Sequence, residues 1–219
     1  MLETMQLESI NVGNIEIVTH KNKSFTTGIC KYPVDGPVYL DETGVRDDVI
    51  VNNEHHGGAD QAVYAYSADD YDWWTGEIGH EYKPGLFGEN LTIRGFPSDM
   101  NVGDRLLIGE VVLEATAPRI PCNTFAARIQ DSGFGMVFRK AERPGIYFRV
   151  LNGGEVSAGD AVTFVANDSS NVSILELFRF KYALQHDIAD LHRFLTAPIA
   201  VRFREKIESR LEAMGSRSI

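Results

Sequence analysis

Arg105-Leu106-Leu107-Ile108-Gly109-Glu110-Val111-Val112-Leu113-Glu114-Ala115-Thr116 is the stretch whose reading decides the fold class. Two aliphatic runs flank a glycine turn, which predicts a β-hairpin and not a helix. The same pattern extends outward in both directions. Ile15-Glu16-Ile17-Val18, Val38-Tyr39-Leu40, Ala62-Val63-Tyr64-Ala65-Tyr66 and Leu91-Thr92-Ile93 read as strands before the hairpin. Ile146-Tyr147-Phe148-Arg149-Val150-Leu151 and Val162-Thr163-Phe164-Val165 read as strands after it. Turn signals at Asp35-Gly36-Pro37, Gly103-Asp104, Asn152-Gly153-Gly154 and Gly159-Asp160 separate them. Many short strands at this spacing predict a barrel instead of alternating βαβ units.

Helices interrupt and then replace the strands. Ser67-Ala68-Asp69-Asp70 has capping-box spacing ahead of Tyr71, Trp73 and Trp74, and a second short helix is expected from Asn123 or Thr124. Ala166-Asn167-Asp168-Ser169-Ser170-Asn171 is a polar linker. Beyond it the strand signal disappears, and three helices are expected over Ser173 to Leu184, Asp187 to Leu195 and Pro198 to Met214. The expected organisation is therefore mainly β with α: a β-barrel domain at 1–167 with peripheral helices, then a small three-helix extension at 171–219.

Composition narrows the function. The 219 residues include 31 acidic and 21 basic side chains, a formal net charge of −10. An acidic surface repels phosphodiester backbones, so polymeric nucleic acid is not an expected partner. The C-terminal helices do carry Arg179, Lys181, Arg193, Arg202, Arg204 and Lys206. These are interleaved with Glu176, Asp187, Asp190, Glu205 and Glu208, which favours a solvated amphipathic bundle. No run approaches the roughly 18 apolar residues of a membrane span, and Met1 to Ile10 lacks the basic start and apolar core of a signal peptide. With only Cys30 and Cys122, both expected as thiols, the reading is a cytoplasmic protein with no membrane partner.

Three clusters carry candidate chemistry. In Thr116-Ala117-Pro118-Arg119-Ile120-Pro121-Cys122-Asn123-Thr124-Phe125 a strand ends, two prolines stiffen the turn, and Cys122 stands at the start of a helix. Arg119 and the helix terminus both favour the thiolate, which suits a nucleophile, a redox thiol or a soft-metal ligand over an inert buried cysteine. Cys30 has no such context and reads as structural. In Glu54-His55-His56-Gly57-Gly58-Ala59-Asp60-Gln61, Gly57 and Gly58 allow backbone to approach a ligand and His56 can donate to it; a plain tight turn is the equal alternative. A zinc site is disfavoured there, because no third His or Cys stands at ligand spacing. In Gly85-Leu86-Phe87-Gly88-Glu89-Asn90-Leu91, Glu89 and Asn90 either order a loop or touch a ligand. Lys31 and Arg149 are basic residues in otherwise apolar strands, and alternation puts Arg149 on one face with Tyr147.

Together these segments resemble the MOSC domain, the module related to the C-terminal part of molybdenum cofactor sulfurases, and within it the stand-alone YiiM-type proteins. The resemblance rests on Lys31-Tyr32-Pro33-Val34, Gly44 with Asp47-Asp48, His56 through Tyr66, Phe87 through Leu91, Gly103-Asp104, Pro118 through Cys122, Gly145 through Val150, Gly153 and Gly159-Asp160. It is collinear over almost the whole chain, and the three C-terminal helices resemble that subfamily's extension. The chain departs from the usual Gly-x-x-Gly-Asp element, with Asp47 in place of the second glycine. The resemblance implies a MOSC-type β-barrel and a molybdenum cofactor (Mo-molybdopterin) with Cys122 as the metal ligand. It further implies that His56, Arg119, Lys31 and Arg149 line the pterin and phosphate pocket.

Proteins similar to this chain reduce N-hydroxylated compounds such as 6-hydroxylaminopurine-type base analogues to amines, a detoxification. That chemistry needs electrons. Two cysteines cannot hold a four-cysteine iron–sulfur cluster, and no Gly-x-Gly-x-x-Gly fingerprint is present, so a separate flavin or iron–sulfur reductase is expected as donor. A homodimer is compatible with this scheme. The competing reading is a cofactor or sulfur carrier in which Cys122 bears a persulfide, and a third is a regulatory protein using its C-terminal helices for interaction.

Overall fold

The computed structural model describes residues 5–51, 57–79, 81–97, 99–169 and 171–215. In chain order its strands are β1 (Met5–Gly13), β2 (Glu16–His20), β3 (Lys23–Thr27), β4 (Lys31–Pro33), β5 (Val38–Asp41), β6 (Gly44–Val45) and β7 (Val63–Ser67). After helix α1 (Ala68–Ile78) come β8 (Leu91–Arg94), β9 (Arg105–Ile108) and β10 (Val111–Pro118), then α2 (Asn123–Ile129) and α3 (Phe134–Ala141). The chain continues through β11 (Ile146–Asn152), β12 (Gly154–Val156) and β13 (Ala161–Val165) to α4 (Ile174–Tyr182), α5 (Ile188–Thr196) and α6 (Val201–Gly215).

The expected hairpin forms as β9–β10, with Ile108 opposite Val111 and Leu106 opposite Leu113. From it the sheet runs β13-β9-β10-β11-β7-β8-β1, and β1 pairs back onto β13, closing a seven-stranded barrel with no free edge in that ring. All pairings in the ring are antiparallel except β7 with β8. The closing strand β1 was missing from the sequence reading. Its register shifts between Leu7 and Ser9, so the apolar positions pass from Met5 and Leu7 to Ile10 and Val12 and no unbroken alternation marks the strand. The strand expected around Lys31 forms as β4, whereas the short strands β3, β6 and β12 and helix α3 were not anticipated.

Alternation along the strands divides the interior into two layers. On β7, Val63 and Ala65 point into the aliphatic barrel core, while Tyr64 and Tyr66 point outward. Outside the wall they meet Tyr71 and Trp74 of α1, Phe125 of α2, Phe134 and Phe138 of α3, and Phe87 in a second, aromatic cluster. Phe87 lies at its centre, edge-on to Tyr66, Phe125 and Phe138 at 4.9, 5.4 and 5.7 Å.

Local helix signals were accurate. Ser67 caps α1 by accepting from the Asp70 N–H, and Ser173 and Glu176 form a reciprocal capping box on α4. Pro198 was expected inside the first turn of the last helix. That helix instead begins at Val201, because Pro198 to Ala200 are tied to the barrel: the Pro198 carbonyl accepts from Arg149, and the Ala200 N–H donates to the Thr116 carbonyl. Val172, Ile174, Leu177, Leu191, Phe194 and Phe203 of the C-terminal region are buried in the same hydrophobic cluster as the barrel core. Among the described residues, no helix is long and apolar enough to cross a membrane.

Candidate functional site

Strand β10 runs past a bulge at Ala115–Ala117 and stops at Pro118, delivering Arg119 and Cys122 to the outer face of the barrel wall. Cys122 occupies the residue just before α2 in an extended conformation, half-buried. It lines a cavity of about 260 Å³ together with Lys31, Asp48, Gly57, Gln61, Tyr64, Asn90, Arg119, Thr124 and Tyr147. Phe25, Thr26, Thr27 and Gly28 form another side of that cavity. Gly28 is required there: a Cβ would lie 1.8 Å from the Val49 carbonyl oxygen, so only glycine lets the two walls meet.

Arg119 is 4% exposed, and its Nη1 is buried without a hydrogen-bond partner. Its guanidinium lies 3.8 Å from the centre of the Phe125 ring and 5.8 Å from that of Tyr64. Among the described residues it makes no ion pair with a carboxylate. Cation–π contact recovers only about 2 kcal/mol of the several lost by dehydrating a cation. The Tyr147 phenol beside it, its ring tilted against Tyr64 at 4.9 Å, is held above its usual pKa by burial; Arg119, which donates to the phenol oxygen, opposes that rise. Tyr147 therefore stays protonated at neutral pH and is a donor in the wall.

Lys31 lies in the same cavity under different constraints. Its ammonium pairs with both oxygens of Asp48, and both side chains are buried. Asp48 also accepts from the Gly13 N–H at 2.8 Å and from Asn90 Nδ2 at 2.9 Å. Burial pulls Lys31 below the usual lysine range, while the Asp48 charge holds the proton on. Asp47, the residue standing where a second glycine is usual, takes a left-handed φ of +66° and so adopts the conformation a glycine would have had.

The structure thus brings Lys31, Gly57, Asn90, Arg119 and Cys122 to one cavity. His56 lies outside the described residues. Gly58 does not line the cavity; it precedes the 3₁₀ turn Ala59–Gln61 at φ +82°. Glu89 is directed away from the cavity, accepting from the Gly85 N–H at 2.6 Å, the Tyr71 hydroxyl at 2.9 Å and the Thr92 hydroxyl at 2.9 Å. It orders the loop, and burial raises its carboxyl above the usual value.

Arg149, expected in the pocket, is not brought there either. It shares the outward face of β11 with Tyr147, but two residues further on it meets Asp60 at 2.8 Å, Glu114 at 3.4 Å and the Pro198 carbonyl at 3.0 Å. Those acceptors make it a tether for the C-terminal segment. Cys30 is buried, and burial raises its thiol pKa, so it is structural. Gln61, Thr124 and Tyr147 were not singled out as cavity residues from sequence. Their proximity depends on the Ala59–Gln61 turn, α2 and β11 converging, which no local pattern records.

A thiol, a dehydrated guanidinium with an unused N–H and a close-approaching glycine wall together suit a small anionic ligand that accepts a thiolate. A family model described as the MOSC domain matches residues 52–163, just over half of the chain. The chain belongs to the MOSC domain family. MOSC proteins bind molybdenum cofactor or are enzymes that use it. The crystal structure of YiiM from Geobacillus stearothermophilus shares this MOSC fold at a TM-score of 0.78 and 28% identity, covering 94% of this chain and 99% of that one. Protein YiiM of Escherichia coli is 28% identical over 191 residues, 84% of this chain and 85% of that protein. A protein named "Reductase" from Gibberella moniliformis is 31% identical over 194 residues, covering 86% of this chain but 34% of that longer protein.

Proposed function

We propose that the chain is a reductase of N-hydroxylated compounds that holds molybdenum cofactor in the Cys122 cavity and receives electrons from a separate flavin or iron–sulfur protein. One observation carries this reading: a thiol and a buried guanidinium with an unsatisfied donor face the same small cavity. When bound, the cofactor supplies a two-electron, oxo-exchanging centre suited to R–NHOH + 2e⁻ + 2H⁺ → R–NH₂ + H₂O. The protein's own contribution is positional and electrostatic. Cys122 provides a soft thiolate ligand. Arg119 contributes charge-assisted donors to the anionic part of the ligand, stronger than neutral ones. Tyr147 and Thr124 offer hydroxyl donors at the cavity wall, and Gly57 and Gly28 allow close backbone approach. The similarity to a protein named as a reductase supports the redox direction.

Metal analysis of protein expressed in a cofactor-competent host tests the reading. Wild type should carry near-stoichiometric molybdenum and, with a chemical reductant, convert an aryl or purine hydroxylamine to the amine. Cys122→Ser should lose at least ~10-fold of the metal while keeping its thermal stability. Equal molybdenum in both proteins would remove Cys122 from its role. Cyanide-labile sulfur on Cys122 without metal would establish a sulfur carrier in its place.

A further inference from the structure

The reductase reading requires a docking place for the electron donor, and the C-terminal helices supply a candidate. Arg202, Lys206 and Arg210 recur at i, i+4 and i+8 on α6 and so share one helix face. The stripe begins at the cavity. Arg202 donates to the Gly57 carbonyl at 3.1 Å and to the Gln61 side chain, and both of those residues line the Cys122 site. From Arg202 to Arg210 the helix rises roughly 12 Å. Along the way Lys206 and Arg210 join Lys181 and His186 in an open groove of about 460 Å³, with Glu205 as the only carboxylate among its described lining residues.

Other arginines of this region are internally compensated. Arg179 pairs with Glu142, Arg193 with Glu176 and Asp190, and Arg204 donates to the Leu195 and Ala197 carbonyls. Among the described residues, Lys181, Lys206 and Arg210 form no ion pair. Lys206 instead lies over the Phe203 ring at 5.7 Å, with its proton affinity lowered by burial and by the charges of Lys181 and Arg202. Gathering like charges costs stability, and here it occurs on a chain whose net charge is −10. Folding does not require these cations to be together. An oppositely charged surface outside the chain would benefit from the arrangement.

We propose that this groove docks an acidic electron-donor protein and steers it toward the Gly57 rim of the cavity. The proposal rests on the reductase reading and extends it to the donor's binding face. Long-range attraction of this kind raises the association rate and weakens with salt.

A purified flavodoxin, a small acidic flavin protein, serves as the probe for the full-length, cofactor-loaded chain. Calorimetric titration should show binding that weakens with added salt. The triple reversal Lys181→Glu/Lys206→Glu/Arg210→Glu should weaken it at least tenfold, and the neutral Gln triple should fall between. Reversing the exposed Lys83 and Lys140 should leave it unchanged. Reduction driven by dithionite-reduced methyl viologen, which needs no protein docking, should be equal in wild type and triple variant. Flavodoxin binding that is absent, or indifferent to the triple reversal, overturns the proposal. So does tighter binding of an oligonucleotide than of flavodoxin at this face. A wild type that fails with viologen overturns the reductase reading itself, and the titration then still decides whether the groove captures an acidic protein.

Discussion

Lys31 and Arg119 are both buried cations in the wall of one cavity, and the fold surrounds them in opposite ways. Lys31 is enclosed by acceptors: Asp48 neutralises it, and Gly13 and Asn90 in turn saturate Asp48. Arg119 is backed by aromatic faces and keeps an N–H with no acceptor. The first arrangement is complete without a ligand, and its role is to hold β4 and the 44–48 loop in register. The second is incomplete, and a bound anion would complete it. Arg149, outside the cavity, is also neutralised by carboxylates, Asp60 and Glu114, although its Nε is buried without an acceptor. Charge in an apolar strand or turn therefore does not by itself mark a binding residue; what sets Arg119 apart is a place in the cavity wall with no carboxylate, among the described residues, to neutralise it.

The contrast is tested by removing each group. Asp48→Ala leaves Lys31 buried without its partner and should cost ~3–5 kcal/mol by denaturant unfolding. A Lys31→Met/Asp48→Leu double variant should recover most of that loss. Arg149→Met should cost about 1–2 kcal/mol, since its charge-assisted bonds are partly screened, while leaving molybdenum content unchanged. Arg119→Met should keep stability within ~1 kcal/mol of wild type, or raise it, because it removes an uncompensated cation and retains the contact with Phe125. The same variant should lose molybdenum. An unfolding cost as large as that of Asp48→Ala would make Arg119 structural and erase the distinction.

The smallest effect concerns pH. Burial raises Glu89 above its ordinary value of 4.5, so the native state binds its proton more firmly than the unfolded chain does. The stability this contributes is complete below 4.5 and is lost as pH rises through the higher folded value. Lowering the pH from neutrality toward 4.5 should therefore add stability from this group, seen as a rise in Tm that Glu89→Gln lacks. An identical pH profile in the variant would mean that the native state binds the Glu89 proton no more firmly than the unfolded chain does.

Much of the architecture was legible beforehand where the signal was local. The β9–β10 hairpin, the Ser67 and Ser173 caps and the start of α2 beside Cys122 each depend on residues within one turn or one strand of each other. The placing of Arg119 and Cys122 at one cavity was legible for the same reason, since they stand three positions apart in a turn stiffened by Pro118 and Pro121. Glu89 and Arg149 were misplaced because their roles depend on distant acceptors. Tyr71 and Thr92 claim Glu89, and Asp60, Glu114 and Pro198 claim Arg149.

Sequence alone determined the class of elements, the turns between them and the chemical character of the Cys122 turn, because hydrophobic period, capping and proline geometry act over a few residues. Only the tertiary structure decided that β1 closes the barrel, that the aromatic faces of β7 and α1 to α3 form a layer outside it, and which cations keep a carboxylate. Those outcomes are set by pairings between residues far apart in the chain, and compensation of a buried charge is a property of the neighbours that folding supplies.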